Sequence, residues 1–445
     1  LADLVSTVPV LLVCGIRSGE TDVIDDRLVR IQDLLRPAQT LRLRLEPLSA
    51  AVSAALATEL IGGKEMPSAF SQLVYARSEG NPYYIEEIVR MLIERGYLEQ
   101  TQPGWELQLL NSDSLPLPAS LAALINSRVD SLPADLRHVL QCAAVMGEVF
   151  EDTVLAAVAE TEDIRAALGR LETRGLLHRT SRANEWQFNH SLIETAVYNT
   201  LLRVRRRNLH HRTATILRQL WAGTPDAHAD VLAYHYTQAG DAQEAVYFLT
   251  LAGEQSAARY AMEESLTYFQ RAASMLRETK VAPILQWRVA VGLGDALRFA
   301  GDSEAAAAAL QRGLPILDQT EVTSAMRADL LRRLGEADQK RGDFESSLRH
   351  FTAALGHVER PVGPAGYSET ARLWADIAWT KLRLGLLPQA QQACESSLSY
   401  AVKAGNPSDL AAAENVLGGI YYQLGEGALA LKHTLHAMQL REQLG

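Results

Sequence analysis

A chain of 445 residues, 47% hydrophobic and 22% charged, is long enough for two to four domains, each with a core of its own. Its formal net charge of −10 argues against a broad nucleic-acid or anionic-membrane surface. The three cysteines, Cys14, Cys142 and Cys394, lie far apart without metal-ligand spacing, which predicts a reducing, cytoplasmic setting and no metal site.

The apolar run from Val8 to Ile16 is interrupted by Cys14 and Gly15 and has no basic flank, so it fits neither a signal peptide nor a membrane span. It reads as a buried parallel strand over Val8–Cys14, with Arg17 just past its end. Ile24, Leu28, Ile31 and Leu35 mark one helix face, and Leu41, Leu43 and Leu45 alternate with arginines as in a half-buried strand. Residues 1–46 are thus expected to be the tail of an α/β sheet. The first residue, Leu1, and a final segment that stops within a helical pattern lead to the expectation that the polypeptide continues beyond both ends.

Residues 47–131 turn helical, with a hairpin expected where Tyr97–Glu99 and Trp105–Leu109 flank Pro103-Gly104. Within this stretch Gly80 can take a positive φ, Asn81 can cap a helix, and Pro82 fits the first helical position. Ile85, Val89, Leu92 and Ile93 then share one face, and Gly96 stands where a C-terminal cap belongs. On local physics alone this is a well-capped amphipathic helix, with or without a ligand.

Residues 132–203 carry three short helical patterns, at Leu136–Met146, Val154–Ala159 and Ile164–Leu171. Two strands follow, Leu176–Arg179 and Glu185–Phe188. Three helices and a two-stranded wing predict a winged-helix domain.

From residue 204 to 445 the chain repeats. Gly240, Gly301, Gly342, Gly385 and Gly425 are followed five residues later by Ala245, Ala306, Ser347, Ala390 and Ala430. Twelve residues after each glycine come Ala252, Gly313, Ala354, Ser397 and Ala437. Small residues at both offsets let paired helices approach closely, as in tetratricopeptide repeats. Leu-Gly steps at 293–294, 334–335 and 417–418 support the same register. The spacings of 41, 43 and 40 residues exceed the usual repeat, and the gap of 61 between Gly240 and Gly301 calls for an extra helix over Glu264–Leu276.

Arg17 after a strand, Glu79-Gly80-Asn81-Pro82, and Phe188-Asn189-His190-Ser191-Leu192-Ile193 with Tyr198, all ahead of the repeats, together resemble the STAND class of AAA+-like signal-transduction ATPases. The form in question is the bacterial one fused to adenylate or guanylate cyclase, protein kinase or LuxR-type output domains. The resemblance implies a mainly α architecture made of an ATPase-core remnant (1–46), a helical lid (47–131), a winged helix (132–203) and a repeat solenoid (204–445). It implies that Gly80, Asn81 and Pro82 lie against adenine and ribose, that Arg17 senses phosphate, and that His190 reaches the β-phosphate of ADP. Arg17 as a surface residue and His190 as a helix cap or core hydrogen-bonding group remain open beside those roles.

The departures are equally plain. No Gly-x-x-x-x-Gly-Lys-Ser/Thr occurs in the chain, and Gly62-Gly63-Lys64-Glu65 has a carboxylate where the magnesium-binding hydroxyl belongs. ATP or ADP, with Mg2+ on residues not in this chain, is therefore expected to bind only the complete protein, and no catalytic residue is assigned. The leading expectation is the sensor portion of an ATP-dependent switch, with a protein or small-molecule inducer on the repeats and possible self-oligomerisation. The alternative is a non-catalytic repeat scaffold for protein–protein interaction. A winged-helix transcription factor is disfavoured because Arg165, Arg170 and Arg174 are balanced by Asp163 and Glu172. For the basic run from Arg203 to Arg212, a solvated or interdomain salt-bridge face is preferred to a nucleic-acid face.

Overall fold

The computed structural model of the chain describes residues 43–62, 68–100, 105–107, 120–277, 279–317, 322–358 and 361–443. Arg17, the strand expected at Val8–Cys14 and the helix expected over 24–35 lie outside them. Leu43 and Leu45, read as part of a strand, are irregular and exposed, and no strand among the described residues pairs with them. The chain divides into two compact units, one ending at Arg128 and the other beginning at Val129.

In the first unit, α1 (Ala50–Leu60), α2 (Ser68–Ser78) and α3 (Pro82–Glu94) pack around Phe70, Val74, Ile85, Ile88 and Leu92. Strands β1 (Leu98–Gln100) and β2 (Trp105–Leu107) pair antiparallel, Leu98 opposite Leu107, where the hairpin was expected. Helix α4 (Leu121–Asp130) adds Leu124 to the core, and its Arg128 forms a buried ion pair with Glu87 of α3. Periodicity could not reveal that pair, because its two charges lie on helices 41 residues apart.

The second unit begins with α5 (Ala134–Met146), β3 (Val149–Glu151), α6 (Asp152–Ala159), α7 (Ile164–Thr173), β4 (Leu177–Arg179) and β5 (Glu185–Phe188). The strands form an antiparallel sheet in the order β3-β5-β4. Phe150 and Phe188 face the core in an edge-to-face pair 5.9 Å apart. The sequence reading had two of these strands. It missed β3, which is three residues long and buries only Phe150.

Helices α8 (Ser191–Thr200) and α9 (Arg203–Leu220) lead into the repeats. The arginines of α9 turn back onto this unit. Arg206 donates to the Tyr198 carbonyl at 2.9 Å, and Arg212 donates to the Ala157 carbonyl at 2.9 Å and pairs with Glu160 at 2.5 Å. Of the five arginines in the run, Arg212 alone forms an ion pair with a described residue, while Arg203, Arg205 and Arg207 are exposed, so the run divides between a solvated face and bonds within this unit.

The array comprises α10 (Ala229–Ala239), α11 (Ala242–Ala258), α12 (Met262–Met275), α13 (Pro283–Phe299), α14 (Ser303–Gln311), α15 (Ser324–Arg341), α16 (Phe344–His357), α17 (Gly363–Arg383), α18 (Leu387–Ala404), α19 (Pro407–Gln423) and α20 (Gly427–Glu442). The gap of 61 residues resolves at Tyr260, whose φ of +61° places it in the left-handed conformation that glycine holds at the other turns. Counting from Tyr260, Ser265, Phe269 and Ala272 fall five, nine and twelve residues on, and all three are buried. Helix α11 therefore closes the hairpin with α10 and opens the hairpin with α12, and the turns from Tyr260 onward recur every 40 to 43 residues.

The residue seven before each turn meets the residue nine after it. A Cβ on Gly335 would stand 2.6 Å from the Phe351 ring, and one on Gly253 would stand 2.9 Å from Phe269. Where the later position is the small Cys394, the earlier one is Ala378. A small residue on the first helix thus makes room for the side chain that meets it from the second. Among the described residues, no helix is long and apolar enough to cross a membrane.

Candidate functional site

In the first unit, Gly80, Asn81 and Pro82 form the start of α3 as their residue types dictate. Gly80 has φ +78°, the Asn81 side chain accepts from Tyr84 N at 3.2 Å, and Pro82 is the first helical residue. The glycine also has a tertiary reason. Leu48 N donates to the Gly80 carbonyl at 2.8 Å, and a Cβ at position 80 would lie 2.2 Å from the Leu48 carbonyl oxygen. Gly80 is covered by backbone, while Asn81, its Oδ1 engaged as a cap, and the Pro82 ring are both exposed. These residues supply an apolar plate and no cradle for phosphates.

His190 lies in the second unit, at the β5–α8 junction. It is exposed and occupies the N-cap of α8 by its backbone, its carbonyl accepting from Ile193 N at 2.9 Å, while its side chain does not cap the helix.

The buried imidazoles of this unit are two others. His210 on α9 is fully buried and bonds Tyr198 Oη through Nε2 at 2.9 Å. Its Nδ1 is 2.9 Å from His235 Nδ1 on α10, one ring donating to the other. Burial, with His235 and Arg206 nearby, pushes His210 down to about 3, and burial pushes His235 down to about 4, so both rings are neutral at pH 7. The sequence does carry a signal for His210, which shares a helix face with Thr213, Ala214 and Leu217. Nothing local indicates that it meets His235.

The first helices of the hairpins, α11, α13, α15, α17 and α19, pack on one another directly. Their facing sides carry a ladder of ion pairs. Arg288 takes Glu254 with both arms at 2.8 and 2.5 Å. Arg333 bonds Asp329 at 2.9 Å and pairs with Asp295, while Arg298 lies 3.4 Å from Asp295 and 3.6 Å from Glu336. Arg332 pairs with Glu336, and Arg372 bonds Asp409 at 2.9 Å.

Asp376 on α17 breaks the pattern. Its carbonyl accepts from Gln339, but its carboxylate forms no hydrogen bond or ion pair with any described residue. Desolvation, then Glu336, push it up to about 7, against the opposing pull of Arg332 and Arg372.

The family described as "Domain of unknown function (DUF8739)" matches residues 49–99, the segment from the start of α1 into β1. The uncharacterized protein R02095 of Rhizobium meliloti (strain 1021) is 27% identical over 232 residues, which is 49% of this chain and 22% of that protein. The chain thus spans less than a quarter of that relative's length. Among solved structures, BtubC (BKLC) from P. vanneervenii is 16% identical, covering 55% of this chain and 92% of its own at a TM-score of 0.40. The apo form of RapI is 11% identical, with 54% and 98% coverage and a TM-score of 0.38. MamA from Desulfovibrio magneticus RS-1 is 16% identical, with 44% and 96% coverage and a TM-score of 0.34. At this level of likeness the helix-hairpin architecture rests on the packing of this chain itself.

Proposed function

We propose that the chain is a helical-repeat interaction module whose inner face, built by α11, α13, α15, α17 and α19, receives a segment of a partner protein. The observation that carries this reading is Asp376. A half-buried carboxylate that no described neighbour pairs, in a row where the other charges are paired, is disfavoured in its charged form, and a partner lysine, arginine or amino terminus seated beside it offsets that cost. Stacked hairpins give such a segment an extended bed. The test is site-specific photocrosslinking in the native host from exposed Asn415 on first helix α19 and from exposed Thr352 on second helix α16. Crosslinks to one partner segment from position 415 alone support the reading, and equal labelling from both positions refutes it.

A second reading, the sensor half of an ATP-dependent switch, is supported by the order α5-β3-α6-α7-β4-β5, which suits a winged helix, and by the capped turn at Gly80–Pro82. In that reading Pro82 faces adenine, Arg17 and His190 reach phosphate oxygens, and the phosphate loop and Mg2+ ligands come from residues outside this chain. The expected outcome, in a polypeptide that also carries a phosphate loop, is weaker ADP binding on Pro82→Ala and Arg17→Ala. Unchanged calorimetric affinity in both variants removes the reading.

A further inference from the structure

A cavity of about 420 Å3 lies between α10, α11 and α12, with Met146 at the end of α5 also lining it. Leu249 and Met146 give it an apolar side, His235 and Thr237 a polar wall, and Asp230 of α10 and Arg271 of α12 a charged rim. Three features of its lining have no partner among the described residues. His235 is 2% exposed, its Nδ1 is taken by His210, and no described residue bonds its Nε2. The Thr237 hydroxyl is buried without a hydrogen-bond partner. Asp230 and Arg271 form no ion pair with each other or with any described residue, although both act on the Tyr268 hydroxyl, Asp230 raising and Arg271 lowering its proton affinity.

We propose that this cavity binds a free α-amino acid with an apolar side chain. The Arg271 guanidinium and the Thr237 hydroxyl donate to the ligand carboxylate. The ligand ammonium donates to Asp230 and to His235 Nε2, and its side chain lies toward Leu249 and Met146. A cation and an anion on one rim, neither paired with a described residue, suit a zwitterion, which can engage both at once. The volume is in the range of small-molecule sites. The site is distinct from the inner face and does not depend on the partner reading given above.

Occupancy has a consequence beyond the cavity. A ligand N–H donating to His235 Nε2 places the His235 proton on Nδ1, which then donates to His210 Nδ1. His210 must in turn carry its proton on Nε2 and donate to Tyr198 Oη. One ligand hydrogen bond thus fixes the direction of the whole chain from α10 to α8 without moving net charge, as two neutral rings allow.

The experiment is thermal unfolding and calorimetry of the chain with each proteinogenic amino acid. At about 100 times Kd, at least one apolar amino acid is expected to raise Tm by about 3–4 °C. Arg271→Ala and Asp230→Asn, both at exposed positions, are expected to weaken its binding at least tenfold, as is removal of the ligand amino group. Ring 15N shifts should show His235 and His210 settling into the stated tautomers. The proposal is overturned if no amino acid shifts Tm, if both variants bind as the parent does, or if the deaminated acid binds equally well.

Discussion

Acidification from pH 7.5 to 5.0 acts directly on the His210–His235 pair. Unfolded histidine has a pKa of 6.5, while the folded rings are held at about 3 and about 4. A base whose folded pKa is depressed binds more protons when unfolded, so stability is intact above pH 6.5 and falls as the pH drops toward the folded values. At pH 5 the loss is about 2 kcal/mol for each ring, since 1.36 kcal/mol accompanies each pH unit below 6.5. The surroundings offer no compensation. His210 faces Tyr198 of α8, Arg206 of its own helix and Tyr234 and His235 of α10, and its only nearby charge is cationic. The pair can accept one proton and keep its 2.9 Å contact, but a second would set two N–H groups against each other. Urea unfolding of the parent and of His210→Gln/His235→Gln at both pH values isolates the effect, because titrating carboxylates cancel in the difference. The parent is expected to lose about 4 kcal/mol more than the double variant. Equal losses, or either ring titrating near pH 6.5 by NMR, would show that the rings are not held neutral by burial.

Tyr260→Gly is expected to raise stability by about 1 kcal/mol, because the residue sits at φ +61° and its 85% exposed ring gives up little packing; an unchanged or lower urea midpoint speaks against backbone strain there. Asp376→Asn should stabilise the array, by up to about 4 kcal/mol at pH 8. A carboxyl whose folded pKa is raised to about 7 costs stability as the pH climbs from the unfolded value of 3.8 through the folded one, so the gain should shrink toward pH 5. A gain independent of pH, measured by denaturant titration at both values, would rule out an ionisation cost. Arg128→Met leaves the 1% exposed Glu87 without its ion-pair partner, and should cost about 3–5 kcal/mol, seen as faster hydrogen exchange throughout α3. Exchange in α3 like that of the parent would mean that the pair contributes nothing to holding the first unit together.

The nucleotide-switch expectation illustrates how far residue types alone can go. Gly80, Asn81 and Pro82 announce a capped helix start, and they make one. That the glycine is also required by the Leu48 carbonyl is invisible in the sequence, since the two positions meet only after α1 and α2 have turned back on each other. His190 drew notice through its neighbours in sequence, yet the buried imidazoles are His210 and His235, 25 residues apart and joined by the packing of α9 on α10.

What the sequence by itself determined is what short-range geometry dictates. Helix caps, the small residues five and twelve after each turn, and the turns near residues 301, 342, 385 and 425 are set by steric rules acting within one or two helices. The tertiary structure alone decided that Tyr260 serves as a turn, because packing on both sides holds a residue that local preference would keep out of the left-handed region. It also decided which charges are paired and which are not. Arg333 and Asp376 look alike as charged residues on amphipathic helices. One meets carboxylates on its own helix and on α13, and the other meets desolvation and a second carboxylate, because a side chain's electrostatic environment comes from elements distant in sequence.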